Sequence, residues 1–153
     1  MNTKPVAVNR RASFDYFITE RFDAGIALTG TEVKSIREGR VSLNEAFVKN
    51  LSEGQVYVIG MHVSPYSHSQ NPSSVDPART RKLLLHKSEI VKLTGMIRQK
   101  GVTCIPLSIY FKNGRAKIQI GVGEAKKQHD KRESIKKKMD DRQIRQALKR
   151  KAG

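Results

Sequence analysis

The sequence has one cysteine, Cys104, no tryptophan, and 14 acidic side chains against 30 lysines and arginines. A lone cysteine excludes an internal disulfide and any zinc site built from several cysteines. No stretch approaches the ~18 apolar residues of a membrane span. The longest nearly apolar stretch, Val56 to Val63, contains Gly60 and His62 and is strand-sized. Met1 to Val8 offers no apolar core of signal-peptide length, so a cytoplasmic protein is expected. The glycine patterns that cradle nucleotide phosphates are missing, as is the Gly-x-Ser-x-Gly nucleophile elbow. His62 and His68 lack a third ligand nearby and read as a strand residue and a loop residue. Glu32 and Glu38 read as a solvated helix face, and Asp76 as an acceptor that orients its loop. Cys104 reads as a small core hydrophobe. No catalytic residue, metal or cofactor is therefore expected.

What is present is positive charge: +16 at neutral pH, with a pI near 10.3. Such an excess favours polyanions, either nucleic acid or an anionic membrane surface. The charge is unevenly spread. Residues 124–153 carry net +7 and residues 1–123 net +9, so the end of the chain is about three times denser in charge. On a helical wheel Ile135 and Met139 fall together, but Ile144 and Leu148 fall on the opposite side, leaving no single stripe to bury. Helix propensity is nevertheless good from Lys131 to Lys151. The expected organisation is a body over residues 1–122. A basic tail follows over 123–153, disordered when free and helical once held on an anionic surface.

The body reads mostly as strands. They are expected at Ser13–Ile18, Gly25–Thr29, Ala46–Leu51, Gln55–Val63, Val102–Phe111 and Arg115–Val122. Lys112-Asn113-Gly114 is the strongest hairpin cue. Helices are expected at about Thr31–Arg37 and His86–Gln99, the second placing Ile90, Leu93 and Ile97 on one face. Pro65–Pro77 reads as a loop. The fold class expected is mainly β with flanking α: an OB-like, partly open β-barrel with about three helices and a basic C-terminal tail.

Candidate nucleic-acid contacts are more plentiful than catalytic ones. Arg10 and Arg11 precede the first strand. Arg79 and Arg81, if extended, share one side of the chain beside Lys82 and suit bidentate phosphate contact. Tyr16, Phe17, Tyr66 and Tyr110 are candidate stacking faces, with Phe17 and Tyr110 assigned rather to the core. The aromatic content is too low for a long stacking platform, so a folded RNA recognised by shape is favoured over a threaded strand.

Several blocks carry a family resemblance: Asn9-Arg10-Arg11-Ala12 with Phe14-Asp15-Tyr16, Asp23-Ala24-Gly25-Ile26, Gly30-Thr31-Glu32-Val33-Lys34-Ser35, Asp76 through Leu85, Tyr110-Phe111-Lys112-Asn113-Gly114, and Lys126 through Arg132. In this order and spacing the chain closely resembles small protein B, the bacterial SsrA-binding protein family. The resemblance implies an adaptor that binds the tRNA-like domain of transfer-messenger RNA and brings it to stalled 70S ribosomes. Its tail would enter the decoding centre and the empty message channel. It also implies indirect partnership, through the RNA, with elongation factor Tu and alanyl-tRNA synthetase. No enzyme activity is implied, no membrane, and a monomer when free. RNA contact is implied for Asn9, Arg10, Arg11, Asp23, Lys34, Arg79, Arg81, Lys82 and Leu84, and tail engagement for Lys126, Lys127, His129, Asp130, Lys131 and Arg132. At position 23 the family usually has Glu. Its usual Ala-Lys-Gly-Lys-Lys reads Gly123-Glu124-Ala125-Lys126-Lys127 here, which alters the body–tail junction. The alternative readings are a ribosomal protein or general OB-type RNA chaperone, and, far behind, a nuclease.

Overall fold

In a computed structural model, which describes residues 4–65, 76–127 and Arg132, the chain is organised around three long strands. In chain order the elements are β1 (Pro5–Val8), α1 (Ala12–Asp15), β2 (Tyr16–Ile26), α2 (Gly30–Arg37), β3 (Val41–Ser42), β4 (Phe47–Ser52), β5 (Gln55–Ile59), β6 (His62–Val63), β7 (Arg81–Leu84), α3 (Lys87–Ile97), β8 (Val102–Lys112) and β9 (Arg115–Ala125). β8 and β9 form a hairpin closed by Asn113 (φ 52) and Gly114 (φ 75). Positive φ at both central residues matches the right-handed strand twist, which is why Asn-Gly serves here.

The main sheet runs β1-β8-β4-β5-β7-β2-β9, and β9 also pairs with β8, so β8, β4, β5, β7, β2 and β9 form an antiparallel ring. Two joints of that ring are thin. β4 meets β8 at Val48↔Cys104, and β2 meets β7 at Gly25↔Leu84 and Ile26↔Leu83. This is a mainly β, partly open barrel, as the strand spacing predicted, and it carries three helices among the described residues.

Alternation fills the interior. Phe22, Ala24, Val56, Val58, Leu83, Cys104, Ile109, Ile118, Ile120 and Val122 point inward and are buried. Burial pushes the Cys104 thiol up to about 12, which makes it an inert core group. α2 closes the end of the barrel near the hairpin tip, where Arg37 donates to the Gly114 carbonyl (3.3 Å) and stacks over Phe111. α3 covers the other end through fully buried Leu93 and a Lys92–Glu20 ion pair of 3.1 Å.

Three expectations need correction. Ser13–Ile18 is not one strand: α1 turns the chain through Asp15, and a single strand then runs from Tyr16 to Ile26, joining the end of one expected piece to the start of the other. The long β9 partner supplies the ladder that short-range patterning does not see. Gln55–Val63 breaks at Gly60, whose φ of 80 ends β5. The expected body boundary at Val122 falls inside β9, since Ala125 still pairs with Tyr16 and the Lys126 N–H donates to the Asp15 carbonyl (2.7 Å). Most of Pro65–Pro77, with Tyr66 and His68, lies outside the described residues, as do Ile135, Met139, Ile144 and Leu148.

Candidate functional site

The inward alternation leaves one continuous outer face across β4, β5, β7, β2, β9 and β8. Residues directly opposite in a ladder share a face, so registers locate neighbours. Lys49, Tyr57 and Lys82 form one row, paired strand to strand. Leu84, Gly25, Lys117 and Tyr110 form a second row. Lys82 and Leu84 are two apart on β7, as are Asp23 and Gly25 on β2, so the rows lie side by side on one surface. Gly25 has a packing role: a Cβ there would lie 3.3 Å from the Leu84 Cβ. Leu84 thus lies over the Gly25 backbone and remains 53% exposed, an apolar platform among lysines.

Asp23 is the carboxylate of this face. The Tyr110 hydroxyl donates to its Oδ1 at 2.7 Å. Burial and the neighbouring Asp23 charge push the Tyr110 hydroxyl up to about 12, so it stays a donor at neutral pH. Tyr110, assigned to the core on sequence, is a half-buried member of the face. Phe17 is likewise not core: it is 50% exposed opposite Glu124, with the Lys126 ammonium 5.0 Å from its ring centre. It lies at the barrel end, where strand alternation no longer has an interior to face.

The two arginines of the Asp76–Lys82 segment converge on one carboxylate, Glu32, Arg81 from inside the fold and Arg79 from a position that is a third exposed. Arg81 has no exposed surface. Its Nε donates to Glu32 Oε2 (2.6 Å), its Nη1 to the carbonyls of Met61 (2.7 Å) and Arg79 (3.0 Å), and its Nη2 to the Pro77 carbonyl (3.1 Å). Arg79 grips the same carboxylate, Nη2 to Oε1 (2.6 Å) and Nε to Oε2 (3.2 Å). Arg81 is therefore spent on buried partners, and Arg79, a third exposed, shares the Glu32 carboxylate with it. Glu32, expected on a solvated face, is 4% exposed and joins α2 to β7. Burial alone would raise its carboxyl; hydrogen bonds from Arg79, the Thr29 N–H and Arg81 hold it below the ordinary range. Burial draws the Arg81 guanidinium down, opposed by Glu32. One clue to Glu32 was in the sequence: Thr29-x-x-Glu32 is a capping-box pattern, and both of its hydrogen bonds form.

Asn9 also lies inside, at 7% exposure. Its Nδ2 donates to the carbonyls of Pro106 (3.0 Å) and Leu43 (3.4 Å), clamping the β1–α1 corner onto β8 and the chain before β4. Its amide nitrogen thus acts as a clamp, while its Oδ1 is buried with no hydrogen-bond partner. Arg10 and Arg11 are exposed beside it, Arg11 facing Asp15 at 3.6 Å. Lys34 is exposed on α2. Asp76 accepts from the Ala78 N–H (3.0 Å), the loop role expected. Of the tail group, Lys126 is half-buried, its Nζ donating to the Ser13 carbonyl (2.9 Å). Lys127 and Arg132 are exposed, and His129, Asp130 and Lys131 lie outside the described residues. Glu124 and Ala125 continue β9, so the altered junction is read as strand. Among the described residues no group of three His, Cys, Asp or Glu side chains is placed to hold a metal, and no helix is long and apolar enough to cross a membrane.

Sequence reasoning overlooked Lys49, Tyr57 and Lys117, because only strand register brings them beside Lys82 and Leu84. The face has the composition of an RNA surface: mobile cations for phosphates, and tyrosine and leucine surfaces for bases.

The family described as SmpB protein matches residues 6–150. An SsrA-binding protein of Acetivibrio thermocellus is 53% identical over 144 residues, covering 94% of this chain and 92% of its own. One from Gloeothece citriformis is 49% identical over 148 residues, covering 97% and 95%. A chain of a solved structure described as "tmRNA-SmpB: a journey to the center of the bacterial ribosome" superposes with a TM-score of 0.69 at 43% identity, over 86% of this chain and 95% of that one. On near-full-length identity and shared fold, the chain belongs to the SmpB protein family.

Proposed function

We propose that this protein binds transfer-messenger RNA and serves as its adaptor in ribosome rescue. The observation that carries the reading is the cationic outer face around Asp23 and Leu84, in a chain about half identical to SsrA-binding proteins over nearly its full length. The tRNA-like domain lies against the rows Lys49–Tyr57–Lys82 and Leu84–Lys117–Tyr110, with Arg10, Arg11 and Lys34 as flanking phosphate contacts. Folded RNA suits such a face because lysines meet phosphates while Leu84 and the tyrosines meet bases or riboses. The tail from residue 128 onward, with His129, Asp130, Lys131 and Arg132, engages the decoding centre and message channel of a stalled ribosome. Elongation factor Tu and alanyl-tRNA synthetase join through the RNA. The protein acts by placement and performs no covalent chemistry.

The test separates face from tail. Replacing residues 129–132 by alanine in the full chain is expected to leave affinity for the tRNA-like domain within about twofold and to abolish peptide tagging on stalled ribosomes. Leu84→Asp is expected to weaken RNA binding by about tenfold or more, the scale of one lost buried contact at an interface. RNA binding lost with the tail and kept with Leu84→Asp overturns the assignment.

A further inference from the structure

β1 lies outside the closed ring: among the described residues it pairs with β8 and with no other strand. Its outer edge is therefore open. Backbone groups of successive strand residues point to opposite sides. The Asn9 N–H turns to β8, where it donates to the Leu107 carbonyl (2.8 Å), so the Val8 N–H and C=O turn away. The Val6 carbonyl turns away as well, since it is the one atom that a Cβ on Gly39 would approach, at 3.9 Å. Along this edge runs a slot of about 350 Å³, with β1 and Arg10 on one wall and Gly39, Val41 and Ser42 on the other. Val41 turns its own N–H and C=O away from β6, because the neighbouring Arg40 carbonyl is the one on that side, accepting from the Ser64 N–H (3.0 Å). Edge strands are commonly guarded by a proline, a bulge or a charge. β1 has Pro5 at its start and a bulge before Ala7, but beyond that no guard: Ala7 and Val8 carry no charge, and Val8 is 50% exposed.

Hydrogen-bond chemistry selects the occupant. The side chains of Pro5, Val6, Ala7 and Val8 have no polar atom, so the backbone makes whatever hydrogen bonds this wall offers. Alternating N–H and C=O groups are answered by another extended backbone. Phosphates only accept, and would leave the Val6 and Val8 carbonyls unanswered. Charge selects the sign of the occupant. Lys4 and Arg10 flank β1 and Arg40 precedes Val41, all exposed, and their one ion pair among the described residues is Arg40–Glu38 at 4.0 Å. A second copy of this chain, at +16, or its own basic end would bring like charge.

We propose that the β1 edge is a docking site for an acidic, extended segment of a partner protein, which adds a strand beside Val6 and Val8 and fills the slot as far as Val41. β1 belongs to neither row of the outer face, so this site stands apart from the RNA surface.

The probe is an eight-residue peptide alternating valine and glutamate, titrated into the full-length protein and followed by backbone amide NMR shifts. The largest shifts are expected at Val6, Val8 and Val41. A fully N-methylated form of the peptide, which has no backbone donors, is expected to bind at least about tenfold less tightly, the scale of one or two lost hydrogen bonds. Replacing its glutamates by lysines is expected to weaken it by a similar factor. Val8→Pro removes an outward N–H that β8 does not use, so this variant is expected to keep its melting temperature and lose the peptide. Should Val8→Pro unfold, the methylated peptide still decides. Four outcomes overturn the proposal. No amide shifts at millimolar peptide; or the largest shifts fall on the Lys49–Tyr57–Lys82 row, so the peptide acts as a polyanion alone; or the methylated form binds equally well, so no strand is added; or an RNA octamer shifts the same β1 amides at lower concentration, which makes the edge a nucleic-acid site.

Discussion

At the residue scale, similar side chains have opposite fates. Arg79, Arg81 and Lys82 are nearly consecutive and all cationic, yet Arg81 is wholly buried and Lys82 is exposed. Strand alternation sends 81 inward and 82 outward, and Glu32 makes the inward position tolerable. Removing that carboxylate leaves a buried guanidinium uncompensated. Glu32→Gln is therefore expected to destabilise the fold by about 3–5 kcal/mol in urea denaturation. The sign with pH follows from the lowered Glu32 carboxyl. Its contribution is fully present above the ordinary carboxylate range and is lost as pH falls through the depressed folded value. Stability of the unaltered protein should drop on acidification below about pH 4, and Glu32→Gln should show a flatter acid limb. An equally steep limb in the variant would place the acid sensitivity elsewhere.

At the scale of elements, β2 and β9 carry the molecule. Their ladder runs from Tyr16↔Ala125 to Gly25↔Lys117, shifted once between Ile18 and Glu20. Gly123 sits where the strands approach most closely, and a Cβ there would fall 1.9 Å from the Phe17 carbonyl oxygen. Backbone cannot yield as a side-chain tip does. Gly123→Ala is expected to cost about 1–3 kcal/mol, as overpacking does, and to loosen the start of β2 and the end of β9. Chemical denaturation measures the first effect, and amide exchange at Phe17 and Glu124 the second. An unchanged midpoint would mean that the strands part without penalty. Because the tail leaves directly from this ladder, its point of departure is set by pairing through Ala125 and by the Lys126 contacts to Asp15 and Ser13. The hairpin and both longer helices were legible in sequence, since each has local markers: Asn113-Gly114, Thr29-x-x-Glu32, and Gly101 past α3. The turn of α1 was not, because four residues are too few for a periodic signal.

At the scale of the whole molecule, the net +16 is less than fully available for binding. Arg81 is spent internally on Glu32, and Arg79 with it. Cations on the outer face include Arg21, Lys49, Lys82 and Lys117, and Arg10, Arg11 and Lys34 are exposed on neighbouring elements. About five phosphate contacts give a log–log slope of affinity against salt of roughly −3 to −5. Lys49→Gln and Lys82→Gln are each expected to reduce that slope by about one, with uniform loss across RNA sequences. Arg81→Gln is expected to act through stability instead. Fluorescence anisotropy over a salt series checks this; a slope insensitive to Lys82→Gln would remove the Lys49–Tyr57–Lys82 row from the interface.

The sequence by itself determined the positive charge that favours a polyanion, the mainly β class and the uneven spread of that charge along the chain, because these follow from composition and from patterns a few residues long. It also marked Asp23, Lys82 and Leu84 through family motifs. The tertiary structure decided which cations face out. Glu32 lies 47 and 49 residues from its two arginines, and Lys49, Tyr57 and Lys82 become neighbours only through strand register. The inward or outward sense of a charged residue depends on which wall its strand joins and what carboxylate waits there, and those are long-range facts of the closed ring.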